Sequence, residues 1–413
     1  MLLGLAVLVG AMQAGEAALP AKITLQEAVE LARTVTPAVE EIRGLKFKRP
    51  VAVKLVDDKT AREHFKARIA AQNPEAKLLS DERAYAQLGL IPAGARLLPS
   101  FLDILDEQAG GYYDPEQDTF FVLDDMPKGA GPILVAHELT HALDDQHFGI
   151  DAMLDRVKDD DDGASAIGAL VEGSGTAVMT AFLLREMQAG RLKPEALAEM
   201  ANHEAVQGAK LAAALPFLRR SLLASYMLGF PFLLRGDLTK VAGADPADLN
   251  RAFAKPPVSS EQILHPEKYW DPAQADAPVP VVLPDLAKVL GAEWSLAGQG
   301  KLGELNLALL VGAGTPVGNT PDALSAAAWT NQAASGVGGD VYQHYSKGTE
   351  GVTVLATVWD TEQDAGEFEK ALGSLPGRRA WRRGAAVVVV AGDLPGRAEA
   401  LALAAFDAVK APK

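Results

Sequence analysis

The chain contains no cysteine in its 413 residues, and this absence limits both its covalent links and its metal chemistry. Without cysteine there can be no disulfide, no thiolate metal ligand and no lipid-modified cysteine at an exported N-terminus. A metal site in this chain must therefore be built from histidine and carboxylate side chains.

Clusters of positive charge are also lacking. The formal net charge is −15, and lysine and arginine form only short pairs such as Arg219-Arg220 and Arg382-Arg383. Proteins that bind nucleic acid usually present a basic face, so this composition argues against nucleic acid as a partner. Hydrophobic residues make up 48% and aromatic residues 6% of the chain, which is typical of a globular protein with one large or two moderate domains.

The first residues predict export from the cell. Residues 2–12 form an uncharged apolar run that is followed by small residues, with a plausible cleavage site near Ala17. A membrane-spanning helix needs roughly 20 apolar residues, so this run is too short to be one. We interpret residues 1–17 as a signal peptide and expect a periplasmic or extracellular protein.

A second apolar run covers residues 164–184 and contains a single ionisable residue, Glu172. Its serines, threonines and glycines favour a buried core helix over a membrane span. We therefore expect no stable membrane span in the mature chain.

The strongest functional signal is an HExxH motif formed by His137, Glu138 and His141. Pro132 at the expected first turn, an apolar run after it and Gly149 at the expected end predict a buried helix here. Residues four apart on a helix project from one face, so the two histidines can bind one Zn²⁺. The glutamate beside them can accept a proton from a water molecule on the metal.

Two residues could supply the third protein ligand of a catalytic zinc site. His147 gives the spacing HExxHxxxxxH, but on a continuous helix it lies about 80° off the face of the other two histidines. A glycine that would break the helix is missing, because Asp144 occupies that position. Glu172 is a carboxylate in an apolar helix, which is costly unless it is paired or metal-bound. We favour Glu172, with His147 as the alternative.

Other side chains could complete such a site. Asp144 is expected on the ligand face, where it could hold a histidine ring N–H. The oxyanion that develops when a carbonyl is hydrolysed needs a hydrogen-bond donor, and Tyr112, Tyr113, His265 and Tyr269 are candidates. We select His265 as a catalytic residue, because a His-Pro sequence in a loop is difficult to explain as core.

The pattern of apolar residues predicts an α+β protein. A β-hairpin is expected at residues 110–125, immediately before the HExxH helix, and its free edge could pair with an extended peptide. Residues 40–56 are predicted to be a strand, and the end of the chain is predicted to have the order ββαββα. The predicted division is a signal peptide 1–17, a mainly helical domain with a small sheet 18–275, a helical connector 276–335 and a small α+β domain 336–413.

The motifs in combination resemble known zinc peptidases. The run from His137 to Ala142 is similar to the signature of zincins, including the thermolysin-like group. A wider set resembles a family of exported, largely uncharacterised bacterial and archaeal zinc peptidases. It comprises GYYDP at 111–115, HELTHALDDQHF at 137–148, VEG at 171–173, SSEQILHP at 259–266 and WDT at 359–361.

This resemblance implies a zincin-like fold and a gluzincin-type site in which Glu172 is the third zinc ligand. The fourth residue after it is Thr176, where many gluzincins have an aspartate that orients a histidine. The implied activity is hydrolysis of a peptide or protein substrate by a zinc metallopeptidase with Glu138 as general base. The alternative is a catalytically silent zincin-fold binding or regulatory protein that retains zinc, although an intact Glu138 argues against it.

Overall fold

The computed structural model describes residues 22–409 apart from 109, 127, 193–210, 242, 316–320, 374–376 and 393–395. The predicted signal peptide, residues 1–17, lies outside the described residues, and export stays a prediction. The described part combines helices with two small sheets and is of the α+β class.

The first part of the chain packs helices around a three-stranded sheet. The central strand of this sheet is β3 (Thr119–Leu123), which pairs in parallel with β1 (Ala52–Val56) and antiparallel with β2 (Gly111–Asp114). The predicted hairpin is thus present, and β2 is its edge strand. The helices here are α1 (Leu25–Arg43), α2 (Asp58–Gln72), α3 (Glu75–Leu88), α4 (Leu97–Gln108), α5 (Gly131–Phe148), α6 (Ile150–Asp155), α7 (Asp161–Gln188), α8 (Pro216–Leu233), α9 (Pro246–Ala254), α10 (Ser260–Leu264) and α11 (Glu267–Trp270).

The strand predicted at residues 40–56 is wrong in its first part. Helix α1 continues to Arg43, because one buried stripe of residues from Ala28 to Arg43 keeps the spacing of a helix. Gly44 then ends α1 with a φ of 70°, a conformation that glycine adopts without steric cost. Only Ala52–Val56 are extended.

Helices α7 and α8 pack closely along the middle of the molecule. A Cβ atom added at Gly173 of α7 would lie 2.4 Å from the carbonyl oxygen of Gly229 in α8, so the two backbones are in direct contact. By length and composition α7 could cross a membrane, but 78% of its most apolar window is buried inside the protein. It is therefore a buried helix, as the sequence indicates.

The second sheet has the strand order β4-β5-β6-β8-β7, and every neighbouring pair is antiparallel. The predicted ββαββα order is present. The predicted connector 276–335 is more than helical, because its strand β4 pairs with β5 across the boundary proposed at 335/336. The elements are α12 (Ala287–Leu290), β4 (Ser295–Gly300), α13 (Gly303–Leu310), β5 (Val337–Lys347), β6 (Glu350–Trp359), α14 (Glu362–Leu372), β7 (Arg378–Arg383), β8 (Ala386–Gly392) and α15 (Ala398–Phe406).

The second sheet shares a hydrophobic core with the first part of the chain. Tyr85 and Leu88 of α3 belong to the same buried cluster as Tyr342 of β5 and Leu355 of β6. The Tyr342 hydroxyl also donates a 2.8 Å hydrogen bond to Asp81 of α3. The five-stranded sheet is therefore packed against α3 of the first part of the chain.

Candidate metal centre

Helix α5 carries the HExxH motif without interruption from Gly131 to Phe148. Pro132 lies in its first turn, and Gly149 ends it with a φ of 68° and an N–H bond to the Asp145 carbonyl oxygen. Because the helix continues past Asp144, His147 stays off the face of the motif. Its Nε2 instead lies 2.8 Å from the carbonyl oxygen of Lys46.

Ligand-type atoms of His137, His141 and Glu172 converge between α5 and α7. The two Nε2 atoms are 2.9 Å apart, and Glu172 Oε2 lies 3.2 Å from that of His137 and 3.5 Å from that of His141. All three residues are buried. Tetrahedral zinc with bonds of about 2.0–2.2 Å holds its ligand atoms about 3.3–3.6 Å apart. The donor types fit a zinc ion, and the separation of Glu172 from His141 lies in this range. The other two separations are shorter, so the three side chains would have to spread by up to a few tenths of an ångström around the ion. His147 takes no part in this group.

Glycines around Glu172 allow α7 to approach α5 as closely as this convergence requires. A Cβ atom added at Gly175 would lie 2.6 Å from Cε1 and 2.9 Å from Nε2 of His137. The imidazole ring therefore lies directly against the α7 backbone, one turn after Glu172. The small residues beside Glu172 in the sequence therefore allow α7 to pack closely against α5.

Asp144 does not hold either histidine ring, so that prediction is wrong. Its Oδ1 accepts a 2.7 Å bond from Arg43 Nε, and its Oδ2 accepts a 2.6 Å bond from the Ser174 hydroxyl. Arg43 is fully buried in α1 and needs a negative partner, which Asp144 supplies. The Nδ1 atoms of His137 and His141 are buried and have no hydrogen-bond partner among the described residues.

Glu138 lies beside the converging atoms and contacts the edge strand. Its Oε2 accepts a 2.9 Å hydrogen bond from the backbone N–H of Tyr113 in β2, and its Oε1 is buried without a partner in the described structure. Burial, and to a lesser extent the charge of Glu172, raise the pKa of Glu138 to about 7, against the opposing effect of His137. A carboxyl group with a pKa near neutrality is suited to accept and return a proton.

The structure does not bring His265 together with the other predicted site residues. Its Nε2 lies 3.0 Å from Oε1 of Glu304, which is fully buried in α13. The described contacts include none between His265 and the group of His137, Glu138 and His141. Its His-Pro sequence is explained by this pairing with Glu304, and no contact supports a catalytic role.

A cavity of about 720 Å³ begins at Glu172 and runs beside α7. Its wall includes Ala164 and Gly168, which lie on the same face of α7 as Glu172, and it also includes Asp161 and Lys77. Asp161 is eleven residues before Glu172, or about 16 Å along the helix. The cavity is therefore elongated and opens onto the candidate metal centre.

Tyr226 of α8 lines the same cavity and was missed in the sequence. Its ring is stacked on that of His137, with 6.2 Å between centroids and 28° between planes. Its hydroxyl oxygen is buried and has no hydrogen-bond partner among the described residues. Burial raises the pKa of Tyr226, followed by the charges of Glu172 and Glu138 and, as the smallest cause, by a weak hydrogen-bonding interaction with Glu172. The sequence offers no signal for it, because it is one aromatic residue in an apolar run without a motif.

One protein family matches part of the chain. It is described as a domain of unknown function, DUF8575, and the match covers residues 294–405. This range contains the five strands of the second sheet and none of the residues of the candidate metal centre. No curated protein and no solved structure matches the chain.

Proposed function

We propose that the protein is an exported zinc metallopeptidase with a zincin-like fold and a gluzincin-type site. The observation that carries the proposal is the convergence of His137, His141 and Glu172 on one point, with Glu138 beside them. Three buried protein ligands with a neighbouring carboxylate are the composition of a catalytic zinc site that leaves a position for water.

The side chains divide the chemistry between them. His137, His141 and Glu172 would hold a zinc ion, which would lower the pKa of a water molecule and polarise the substrate carbonyl. Glu138 accepts a proton from the attacking water through its free Oε1 and returns it to the leaving amine. The Tyr113 N–H holds the other carboxylate oxygen and so keeps Glu138 oriented.

The surroundings support a peptide as the substrate. The cavity beside α7 has a volume within the range of ligand-binding clefts, and its small residues Ala164 and Gly168 leave room for an extended chain. The edge strand β2 reaches the site at Tyr113, where one of its N–H groups already bonds to Glu138. Because β2 is the edge strand of its sheet, we propose that its remaining outward-facing backbone groups bind the backbone of a substrate.

The experiment that tests this proposal is the substitution Glu138→Gln. The purified wild-type protein should contain about one zinc ion per chain and cleave members of a peptide library, and a chelator should abolish cleavage. The variant should keep the zinc and lose hydrolysis by about 10²–10⁴-fold, because the base is removed and the ligands remain. Zinc content is measured by mass spectrometry of the metal, and cleavage by chromatography of the peptides.

Glu399→Gln, in the exposed first turn of α15, makes the same chemical change elsewhere and should leave both readouts unchanged. Cleavage by Glu138→Gln at a rate near that of the wild type would refute the role of Glu138 as the base. A wild-type protein that binds zinc and cleaves no peptide would favour the alternative of a silent zincin-fold binding protein.

A further inference from the structure

Hydrolysis by the proposed site needs a hydrogen-bond donor for the carbonyl oxygen of the substrate, where negative charge develops. Most donors suggested by the sequence are engaged elsewhere. The Tyr113 hydroxyl donates to Asp145 at 2.9 Å, and the Tyr269 hydroxyl donates to the carbonyl oxygen of Lys255 at 2.5 Å.

The other two candidate donors, His265 and Tyr112, also contact residues outside the proposed site. His265 pairs with Glu304. The Tyr112 ring is stacked on those of Phe121 and His64, on the side of the first sheet that α2 covers. None of the four side chains that the sequence suggests has a described contact with His137, His141 or Glu172.

Tyr226 has the properties that these residues lack. Its ring stacks on a proposed zinc ligand, His137, and its side chain lines the cavity that begins at Glu172. Its hydroxyl is buried and has no partner within hydrogen-bonding distance among the described residues. The Glu172 carboxylate acts on it only weakly as an acceptor, as the smallest of the causes that raise the pKa of Tyr226. A buried O–H group without a partner is costly, and it is expected mainly where a ligand completes it.

The packing of α8 holds Tyr226 rigidly in this position. Gly229, three residues further on, lies against α7 so closely that an added Cβ atom would be 2.0 Å from the carbonyl oxygen of Ala169. The adjacent Met227 and Leu228 are buried in the core that α7 and α8 share. A donor fixed by its helix loses little entropy when it binds, which is what a preorganised catalytic group requires.

We propose that Tyr226 is a further catalytic residue, whose phenol O–H donates a hydrogen bond to the carbonyl oxygen of the scissile peptide as negative charge develops on it. This inference rests on the proposed peptidase function. It differs from a positioning role, in which the hydroxyl would bind Glu172 and keep that ligand in place. The two roles predict different responses to the loss of the hydroxyl.

The test is Tyr226→Phe, which keeps the ring and removes only the hydroxyl. We expect kcat to fall by about 10²–10³-fold, with KM and zinc affinity within about twofold of the wild type, because the donor acts mainly in the transition state. The matched control is Tyr269→Phe, which should leave kcat unchanged, since its hydroxyl bonds to a carbonyl oxygen elsewhere. An unchanged kcat in Tyr226→Phe would overturn the inference, and a parallel loss of zinc affinity would assign a positioning role instead.

A binding measurement separates failure of this inference from failure of the proposed function. The probe is a phosphinic pseudopeptide, whose tetrahedral oxygens imitate the charge of the transition state. Its Kd, measured by calorimetry on the zinc-loaded proteins, should rise by at least about tenfold in Tyr226→Phe and stay unchanged in Tyr269→Phe. Equal affinities in the wild type and Tyr226→Phe would refute the inference even if Glu138→Gln abolished cleavage. A wild type without peptidase activity would refute the proposed function separately.

Discussion

At the scale of single residues, the identity of the third ligand of the proposed metal site depends on whether α5 is continuous. Because it runs unbroken to Phe148, His147 bonds to Lys46 at the surface while Glu172 comes from another helix to meet the two histidines. The proposed metal site is assembled from two helices and so depends on tertiary packing, since neither helix alone holds all three proposed ligands.

We predict that Glu172→Ala lowers zinc affinity by more than about 100-fold and that His147→Ala changes it by less than about threefold. The first variant removes a ligand oxygen, and removal of groups that merely support a ligand already costs about 10–100-fold. Affinity is measured by competition with a chelator, on protein whose folding is verified by circular dichroism. The reverse ranking would mean that α5 breaks near Asp144 in solution and that His147 is the ligand.

The residue scale also shows what the sequence can and cannot predict. The pair of histidines, the base and the isolated Glu172 were recognisable because each breaks an expectation for a buried helix. The partners of Asp144 could not be recognised in the sequence. Arg43 lies 101 residues away in the chain, and the burial of Arg43 follows only from the fold. Tyr226 was missed for the same reason, since its position depends on how α8 packs.

At the scale of elements, local patterns predicted structure well where they were strong. The hairpin β2–β3 follows from aromatic and β-branched residues on both sides of a turn. The final ββαββα order follows from short runs rich in valine and other apolar residues, such as the AVVVVAG of β8. Strand β4 was missed because its sequence, SLAGQG, has two glycines and is mostly exposed. It is a strand because β5 provides a partner, which is information from a distant part of the chain.

The contact between α5 and α7 leads to a prediction for Gly175→Ala. The added methyl group would lie 2.6 Å from Cε1 of His137, so the ring or the helix must move. We expect zinc affinity to fall by about tenfold or more, because small displacements of a functional group have large effects. The measurement is again competition with a chelator.

The control for this variant is Gly366→Ala in α14. The nearest atom to its added Cβ is 4.0 Å away, and alanine in a helix is favoured over glycine by up to about 1 kcal/mol. This control should bind zinc with the affinity of the wild type. Its stability should equal or exceed that of the wild type. If Gly175→Ala bound zinc as tightly as Gly366→Ala, the His137 ring could not lie against the α7 backbone.

At the scale of the whole molecule, the two parts of the chain meet at the start of α7. Asp162 accepts a 2.9 Å hydrogen bond from the Ser260 backbone N–H and lies against Gly303, where an added Cβ atom would be 1.8 Å from its Oδ1. Asp340 of β5 accepts bonds from the N–H groups of Leu302 and Gly303. The helix that carries Glu172 is thus anchored at its start by the region that the family match covers.

This junction contains more negative than positive charge. The charge of Asp160 acts on Asp161, Asp162 and Asp340, and Asp162 also interacts with Asp340. Lys301 pairs with Asp160, and Lys77 lies 3.7 Å from Asp161. Burial is the main cause that raises the pKa of Asp162 to about 7 and that of Asp340 to about 6, and neighbouring carboxylates add to it. These two groups therefore bind protons more tightly in the folded protein than in the unfolded chain, where the pKa is near 3.8.

The consequence is that the contribution of these two groups to stability falls as the pH rises. A folded-state pKa above the unfolded value contributes stability that is fully present below pH 4 and is lost as the pH rises through 6 to 7. For Asp162 the loss is at most about 4 kcal/mol.

Asp162→Asn, which stays neutral and keeps an oxygen to accept the Ser260 N–H, should therefore flatten the decline between pH 5 and pH 8. The free energy of unfolding is measured by urea denaturation of both proteins at the same saturating zinc concentration, so that titration of the metal site affects them equally. Identical pH dependence in the two proteins would mean that Asp162 is not protonated in the folded state within this range.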